Sequence, residues 1–245
     1  MHYLIISDIH SNWEALEAVL EAVRGLYDKV LCLGDLVGYG ADPNPVVDWV
    51  RTNAAVVIRG NHDKACSGLE SPEWFNDTAR NAALWTLNSL APENLTYLTN
   101  LAKGPVDSDG ITLVHGSIVD EDEYVVGPRE AAQMFSYQEA RLAFFGHTHL
   151  QGGFVLGSNR LQVIRPQPNK GPQYLEIQPT EKYLLNPGSV GQPRDGDWRS
   201  AFVLYDSDEK LIVFYRIEYD LDKAQQKILA AGLPEPLAAR LRVGR

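Results

Sequence analysis

Tyr3-Leu4-Ile5-Ile6-Ser7-Asp8-Ile9-His10 runs from an unbroken apolar stretch straight into an acid and an imidazole two residues apart. A short apolar run that ends in polar residues has the signature of a strand buried on both faces. Residues 12–24 follow, with Trp13, Leu16, Val19, Leu20 and Val23 at helical spacing. Ser11 is the expected N-cap, with Glu14 three residues on as in a capping box. The alternation continues with strands at 29–33, 55–58, 111–114 and 142–145. Helices are predicted between them at 45–51, 74–90 and 128–137. Such an order implies an α/β sheet rather than a sandwich of hairpins.

Beyond Gly146 the texture changes. Residues 153–156, 161–164, 183–185, 201–205 and 211–217 read as strands separated by turn residues. Residues 165–179, rich in Pro, Gln, Asn and Gly, read as a loop. Residues 221–231 read as a terminal helix, and Pro234-Glu235-Pro236 leads into a basic tail. No linker and no internal repeat divides the 245 residues, so 1–245 is treated as one domain with two sheets.

Twenty-two Lys and Arg against 32 Asp and Glu leave a net charge of −10. That argues against broad binding to nucleic acid or to an anionic membrane, because both need clustered cations. A nucleotide substrate stays open, since bound metal would supply positive charge locally. Cys32 and Cys66 make neither a disulfide framework nor a Cys-rich zinc pattern. The N-terminal apolar run is too short for a signal peptide, and none reaches membrane-spanning length. The expectation is a protein of the cytoplasm.

The polar residues are less ordinary than the composition. Asp8-Ile9-His10, Gly34-Asp35, Gly60-Asn61-His62-Asp63, His115-Gly116 and Gly146-His147-Thr148-His149 each lie just past a predicted strand. In open α/β sheets, ligands gather at the carboxyl ends of strands. Five of the six histidines fall in these motifs, and only His2 lies outside. Asp8 and His10, and likewise His147 and His149, would point to one side of an extended segment. Taken singly, each residue has an ordinary explanation: a helix cap for Asp8, a turn for Asp35 or Asn61, a buried hydrogen bond for His115 or His147. None of these explains five strand ends in this order. Imidazole with hard oxygen donors and no thiolate suits manganese, iron, zinc, nickel or cobalt, and suits calcium poorly. Seven candidate ligands are too many for one ion and enough for two that share a carboxylate. Two close cations can hold a hydroxide between them and clamp a phosphoryl group.

In this order the five motifs resemble the calcineurin-like metallophosphoesterase superfamily over residues 4–149. Gly34-Asp35-Leu36-Val37-Gly38-Tyr39-Gly40 with Asp42-Pro43-Asn44, and Asn186-Pro187-Gly188-Ser189, are similar to its small stand-alone bacterial and archaeal phosphodiesterases. The resemblance implies a four-layer α-β-β-α sandwich of two mixed sheets. It implies two divalent metal ions (manganese, iron, zinc or nickel), one on Asp8, His10 and His149, the other on Asn61, His115 and His147, with Asp35 bridging. It implies that His62 hydrogen-bonds the phosphate or protonates the leaving oxygen, with Asp63 orienting its ring. The activity implied is phosphodiester hydrolysis by a metal-bridging hydroxide. The alternatives are a dinucleoside-polyphosphate hydrolase, a phosphomonoesterase, or a non-catalytic metal-bound scaffold for protein partners. The partner expected is a small phosphate ester or nucleotide. Further substrate contacts are expected from Asn61 and His62, and more weakly from Tyr39 and Arg194. Tyr39 could equally pack on its own loop, and a salt bridge to Asp195 or Asp197 is the preferred reading of Arg194. Arg59 reads as a strand-end charge, and Trp74, Phe75 and Trp85 read as core.

Overall fold

In strand β1 (His2–Ile6) alternate side chains enter two different cores. Tyr3 and Ile5 face one apolar cluster, and Leu4 and Ile6 face another. A strand apolar at every position has no face for water, so it must lie between layers. β1 pairs in parallel with β2 (Lys29–Cys32), and β2 with β3 (Val56–Val57). On its other side β1 pairs antiparallel with β11 (Ser200–Asp206), which pairs with β12 (Leu211–Ile217) and through it with β9 (Gln173–Glu176). The second sheet has the order β4 (Val106–Ser108), β5 (Ile111–Leu113), β6 (Leu142–Phe144), β10 (Lys182–Asn186), β7 (Gly152–Gly157), β8 (Arg160–Ile164). Here β5, β6 and β10 are parallel. The computed structural model describes residues 1–158, 160–167 and 170–245.

The two sheets meet face to face. Tyr3, Ile5, Leu31, Leu33, Val203 and Phe214 of one sheet pack against Ile111, Leu113, Leu142, Phe144, Tyr183 and Leu185 of the other. Outside the first sheet lie α1 (Trp13–Ala22), α2 (Pro43–Asn53), α3 (Asn61–Cys66), α4 (Asp77–Ser89), α5 (Pro92–Thr99), α7 (Leu221–Ala230) and α8 (Glu235–Val243). Outside the second lies α6 (Pro128–Tyr137), through Ala131, Met134 and Phe135. The result is the α-β-β-α sandwich of two mixed sheets.

Several expectations need correction. Asn12, not Ser11, caps α1: its side-chain oxygen accepts from the Ala15 N–H at 3.1 Å. Ser11 has a left-handed φ of 53° and gives its own N–H to Leu36. The helix predicted at 74–90 begins only at Asp77, after a 3₁₀ turn at Pro72–Trp74, and Pro92 starts a separate α5. The segment 165–179 contains β9, and its Pro168 and Asn169 lie outside the described residues. The basic tail is α8, held by buried Leu237, Ala238 and Leu241. Among the described residues no helix is long and apolar enough to cross a membrane.

Phe144 is fully buried between the sheets. Phe144→Ala is expected to lower the unfolding free energy by about 3–5 kcal/mol in urea titration. Tyr174→Ala, at a residue 69% exposed, is the control, with a change within about 0.5 kcal/mol.

Candidate metal centre

β1, β2 and β3 of one sheet and β5 and β6 of the other end on one rim of the sandwich, and the five motifs leave from those ends. There the backbone does not stay extended. Asp8, His10, Asp35, His147 and His149 have φ of 53°, 51°, 53°, 65° and 59°. Non-glycine residues enter this left-handed region only when the surroundings compensate, and such sites cluster where function is built. The paired ligands therefore converge through left-handed turns rather than through strand alternation. Ile9 and Thr148 between them point elsewhere, and Ile9 enters the core.

Side chains of the flanking segments hold these turns. Asp63 accepts backbone N–H groups from Asp35, Leu36 and Gly60 at 2.8, 2.9 and 2.9 Å, and a longer one from Val37 at 3.4 Å. A Cβ on Gly60 would lie 2.1 Å from the Asp35 Oδ1, so only glycine lets the third motif close on the second. Asn186 donates to the Gly146 carbonyl at 2.9 Å and to the Thr148 hydroxyl at 3.0 Å, and Ser189 donates to the Asp8 carbonyl at 2.7 Å. The Asn186-Pro187-Gly188-Ser189 turn thus ties the first motif to the last.

The arrangement of protons and lone pairs decides what the rim can hold. The Nδ1 atoms of His10, His115 and His149 lie 3.1, 2.7 and 2.6 Å from the carbonyls of Val37, Leu33 and Gln192. A carbonyl only accepts, so each Nδ1 carries the proton and each Nε2 of a neutral ring presents a lone pair. Those lone pairs face other acceptors. His10 Nε2 is 3.1 Å from His149 Nε2, which is 3.2 Å from Asp8 Oδ1. His115 Nε2 is 3.4 Å from Asp35 Oδ2 and 3.3 Å from Asn61 Oδ1. His147 is reversed: its Nε2 meets the Asp122 carbonyl at 3.1 Å, and its buried Nδ1 has no partner. Buried acceptors aimed at one another repel unless a cation stands between them. Two such groups exist among the described residues: Asp8, His10, Asp35 and His149, and Asp35, His115 and His147. Ligand atoms within each group lie within 4.8 Å of one another, and Asp35 belongs to both.

The electrostatics agree. Burial disfavours ionised Asp8, but His149 beside it holds the carboxyl well below the usual range. Burial likewise opposes ionised Asp35, and His115 and His62 pull it down. Burial lowers His10, and takes His147 down to about 3. These rings keep free lone pairs at neutral pH, as metal ligation requires. Burial also acts on His115, yet the Asp35 carboxylate drives it up to about 10, a demand for positive charge that a shared cation meets. The donor set fits divalent metal of the nitrogen- and oxygen-loving kind.

His62 stands beside the two groups. Its ring packs on Phe75, Tyr39 and His10, with centroids 4.6, 4.4 and 4.9 Å away, and its backbone N–H donates to Asp35 Oδ1 at 2.8 Å. Burial lowers it to about 4. Asp63 does not orient this ring, as expected above; its oxygens are taken by backbone N–H groups, and His62 Nδ1 has no partner. Phe75 is core, but core that supports His62. Arg194 makes no salt bridge to Asp195 or Asp197, which pair with Arg216 and Arg199. It donates to Gln192 Oε1 at 3.1 Å and lies 5.8 Å over Tyr39. Arg59 pairs bidentately with Glu121 rather than standing as a free strand-end charge.

The residues missed from sequence lie in 121–124. Lys64 bonds Asp122 and Glu121, so the segment that gives His147 its carbonyl is anchored to the Asn61 helix. Tyr124 stacks on His147 at 3.9 Å. No motif marks these positions.

A model of the calcineurin-like phosphoesterase superfamily domain matches residues 1–210. An uncharacterized protein of Methanocaldococcus jannaschii is 38% identical over 248 residues, covering 98% of this chain and 97% of that protein. A metallophosphoesterase from Sphaerobacter thermophilus, known from its crystal structure, is 40% identical with a TM-score of 0.86, over 100% of this chain and 99% of that one. A hypothetical protein from Pyrococcus horikoshii OT3 shares the fold at 21% identity and a TM-score of 0.80, over 100% and 98% of the two chains.

Asp63→Asn separates a turn clamp from a ring orienter. As a turn clamp, Asp63 positions Asp35, and the substitution is expected to weaken manganese binding by about 10–100-fold in equilibrium dialysis. As a ring orienter it would leave metal affinity at the wild-type value.

Proposed function

The chain belongs to the calcineurin-like phosphoesterase superfamily, and on that premise we propose that it is a phosphodiesterase that works with two divalent cations. One would be held by Asp8, His10 and His149, the other by Asn61, His115 and His147, with Asp35 shared. The observation that carries the reading is that the Asp35 carboxylate belongs to both of two buried clusters of carboxylate and imidazole ligands. Manganese, iron, zinc or nickel suits these donors. Bound there, the cations would supply an acidified water as nucleophile and positive charge to offset that on the phosphoryl oxygens.

The rest of the work falls to side chains. His62 is the group assigned to the substrate. Its ring is fixed by Phe75, Tyr39 and His10, so it is oriented before a substrate arrives. It would donate a hydrogen bond to a phosphoryl oxygen or a proton to the departing oxygen. An anionic phosphate beside it favours the imidazolium and so offsets the effect of burial. Asn61 offers an amide next to the same phosphate as well as its Oδ1 to the cation. Asp63 acts earlier, by holding the backbone of Asp35. We further read residues 1–245 as one domain acting in a reducing cytoplasm, with both thiols buried.

Hydrolysis of bis-p-nitrophenyl phosphate with added manganese tests the reading. Release of p-nitrophenol should stop on chelation and return with manganese. His62→Ala is expected to cut kcat by about 10²–10⁴-fold while metal content measured by plasma emission stays at the wild-type level. Silence with manganese, iron, zinc and nickel alike would instead favour a metal-bound scaffold.

A further inference from the structure

The helix α8 brings a side chain to the mouth of the metal centre. The Arg240 guanidinium lies 5.8 Å from the centroid of the Tyr39 ring, and that of Arg194 lies 5.8 Å from the same centroid. The Tyr39 ring in turn packs on His10 at 4.7 Å and on His62 at 4.4 Å. Two cations thus stand one aromatic ring away from the groups assigned to metal and substrate.

Neither pairs with an Asp or Glu side chain among the described residues. The neighbouring acids are already paired: Asp195 with Arg216, Asp197 with Arg199, Asp77 with Arg80 and Asp222 with Arg242. The Nε of Arg194 is buried and bonds to nothing, and the Nε of Arg240 donates to Arg245 O, a carboxylate oxygen of the last residue. Burial and the charge of Arg194 both press against a protonated Arg240. A guanidinium cannot give up its proton in response, so a further anion beside the pair is favoured. In a chain of net charge −10, no Asp or Glu side chain pairs with either. Between Tyr39 and α8 lies a cavity of about 430 Å³, lined by Tyr39, Asn76, Thr78, Leu237 and Arg240. Its one acid, Asp77, is the partner of Arg80.

We propose that Arg194 and Arg240 form a second anion subsite, which takes a phosphate of the substrate other than the scissile one. The preferred substrates are then phosphate esters that carry a further phosphate group. The inference rests on the phosphoesterase reading for the phosphate that is cut, and on the two arginines for the other. Planar guanidinium forks suit a phosphate dianion, and each lies within cation–π distance of the Tyr39 ring.

Calorimetric titration of the manganese-loaded protein with thymidine 3′,5′-bisphosphate and with thymidine 5′-phosphate reads the subsite without turnover. The bisphosphate is expected to bind at least tenfold more tightly. Arg240→Gln and Arg194→Gln should each remove most of that preference, and Arg240→Lys should restore part of it. In hydrolysis, thymidine 3′-phosphate 5′-(p-nitrophenyl phosphate) should have a lower KM than thymidine 5′-(p-nitrophenyl phosphate). Arg240→Gln should raise the first KM toward the second with little change in kcat. Equal affinity of the wild type for the two nucleotides, or a preference that survives both substitutions, would overturn the subsite. Failure of both esters to turn over, with the binding preference intact, would overturn the phosphoesterase reading and leave the subsite standing.

Discussion

Everything at the rim follows from one constraint: buried lone pairs that face each other need positive charge between them. The fold sets this up by spending each histidine's available proton on a backbone carbonyl. Val37, Leu33 and Gln192 take the Nδ1 protons of His10, His115 and His149, and what remains points inward as bare acceptors. Asp35 adds a carboxylate to both groups. Without a cation the rim is a set of like partial charges in a dry environment, where such repulsion is least screened. The left-handed backbone at five of these residues adds to the cost of building it.

That cost is offset by a frame whose parts have no chemistry of their own. Asp63 serves the turn of Asp35, and Asn186 and Ser189 join the first motif to the last. Lys64 fixes the segment that meets His147. These groups are polar and buried: Asp63, Asn186 and Ser189 bond the backbone they hold, and Lys64 bonds the carboxylates of Glu121 and Asp122. Such networks rigidify a site only when complete, so their members are as sensitive to substitution as the ligands themselves.

The strands and the convergence were legible in the sequence because both rest on local pattern. An unbroken apolar run must be buried on both faces, and a polar motif after each run must leave from a strand end. The order of the strands was not legible, since β9 joins the first sheet from within a segment that reads as loop. The role of Asp63 was misread because adjacency to His62 suggests a pair, whereas α3 turns the carboxylate toward the backbone of Asp35. Arg240 was hidden for a related reason. A basic stretch after prolines reads as a tail, and only the packing of Leu237 and Leu241 turns it into a helix over Tyr39. What sequence pattern cannot supply is the pairing of distant segments, and the second shell consists of little else.

The bond from Ser189 to the Asp8 carbonyl spans 181 residues, and His10 meets His149 across 139. Contacts of such separation form late, because the chain entropy of closing the loop precedes any reward. A nascent chain leaving the ribosome therefore exposes Asp8, His10 and Asp35 long before their counterparts exist. A cation would therefore find its full set of ligands only once the second sheet has docked. A centre filled there would act as a clasp across the open end of the sandwich, tying segments made early to segments made late.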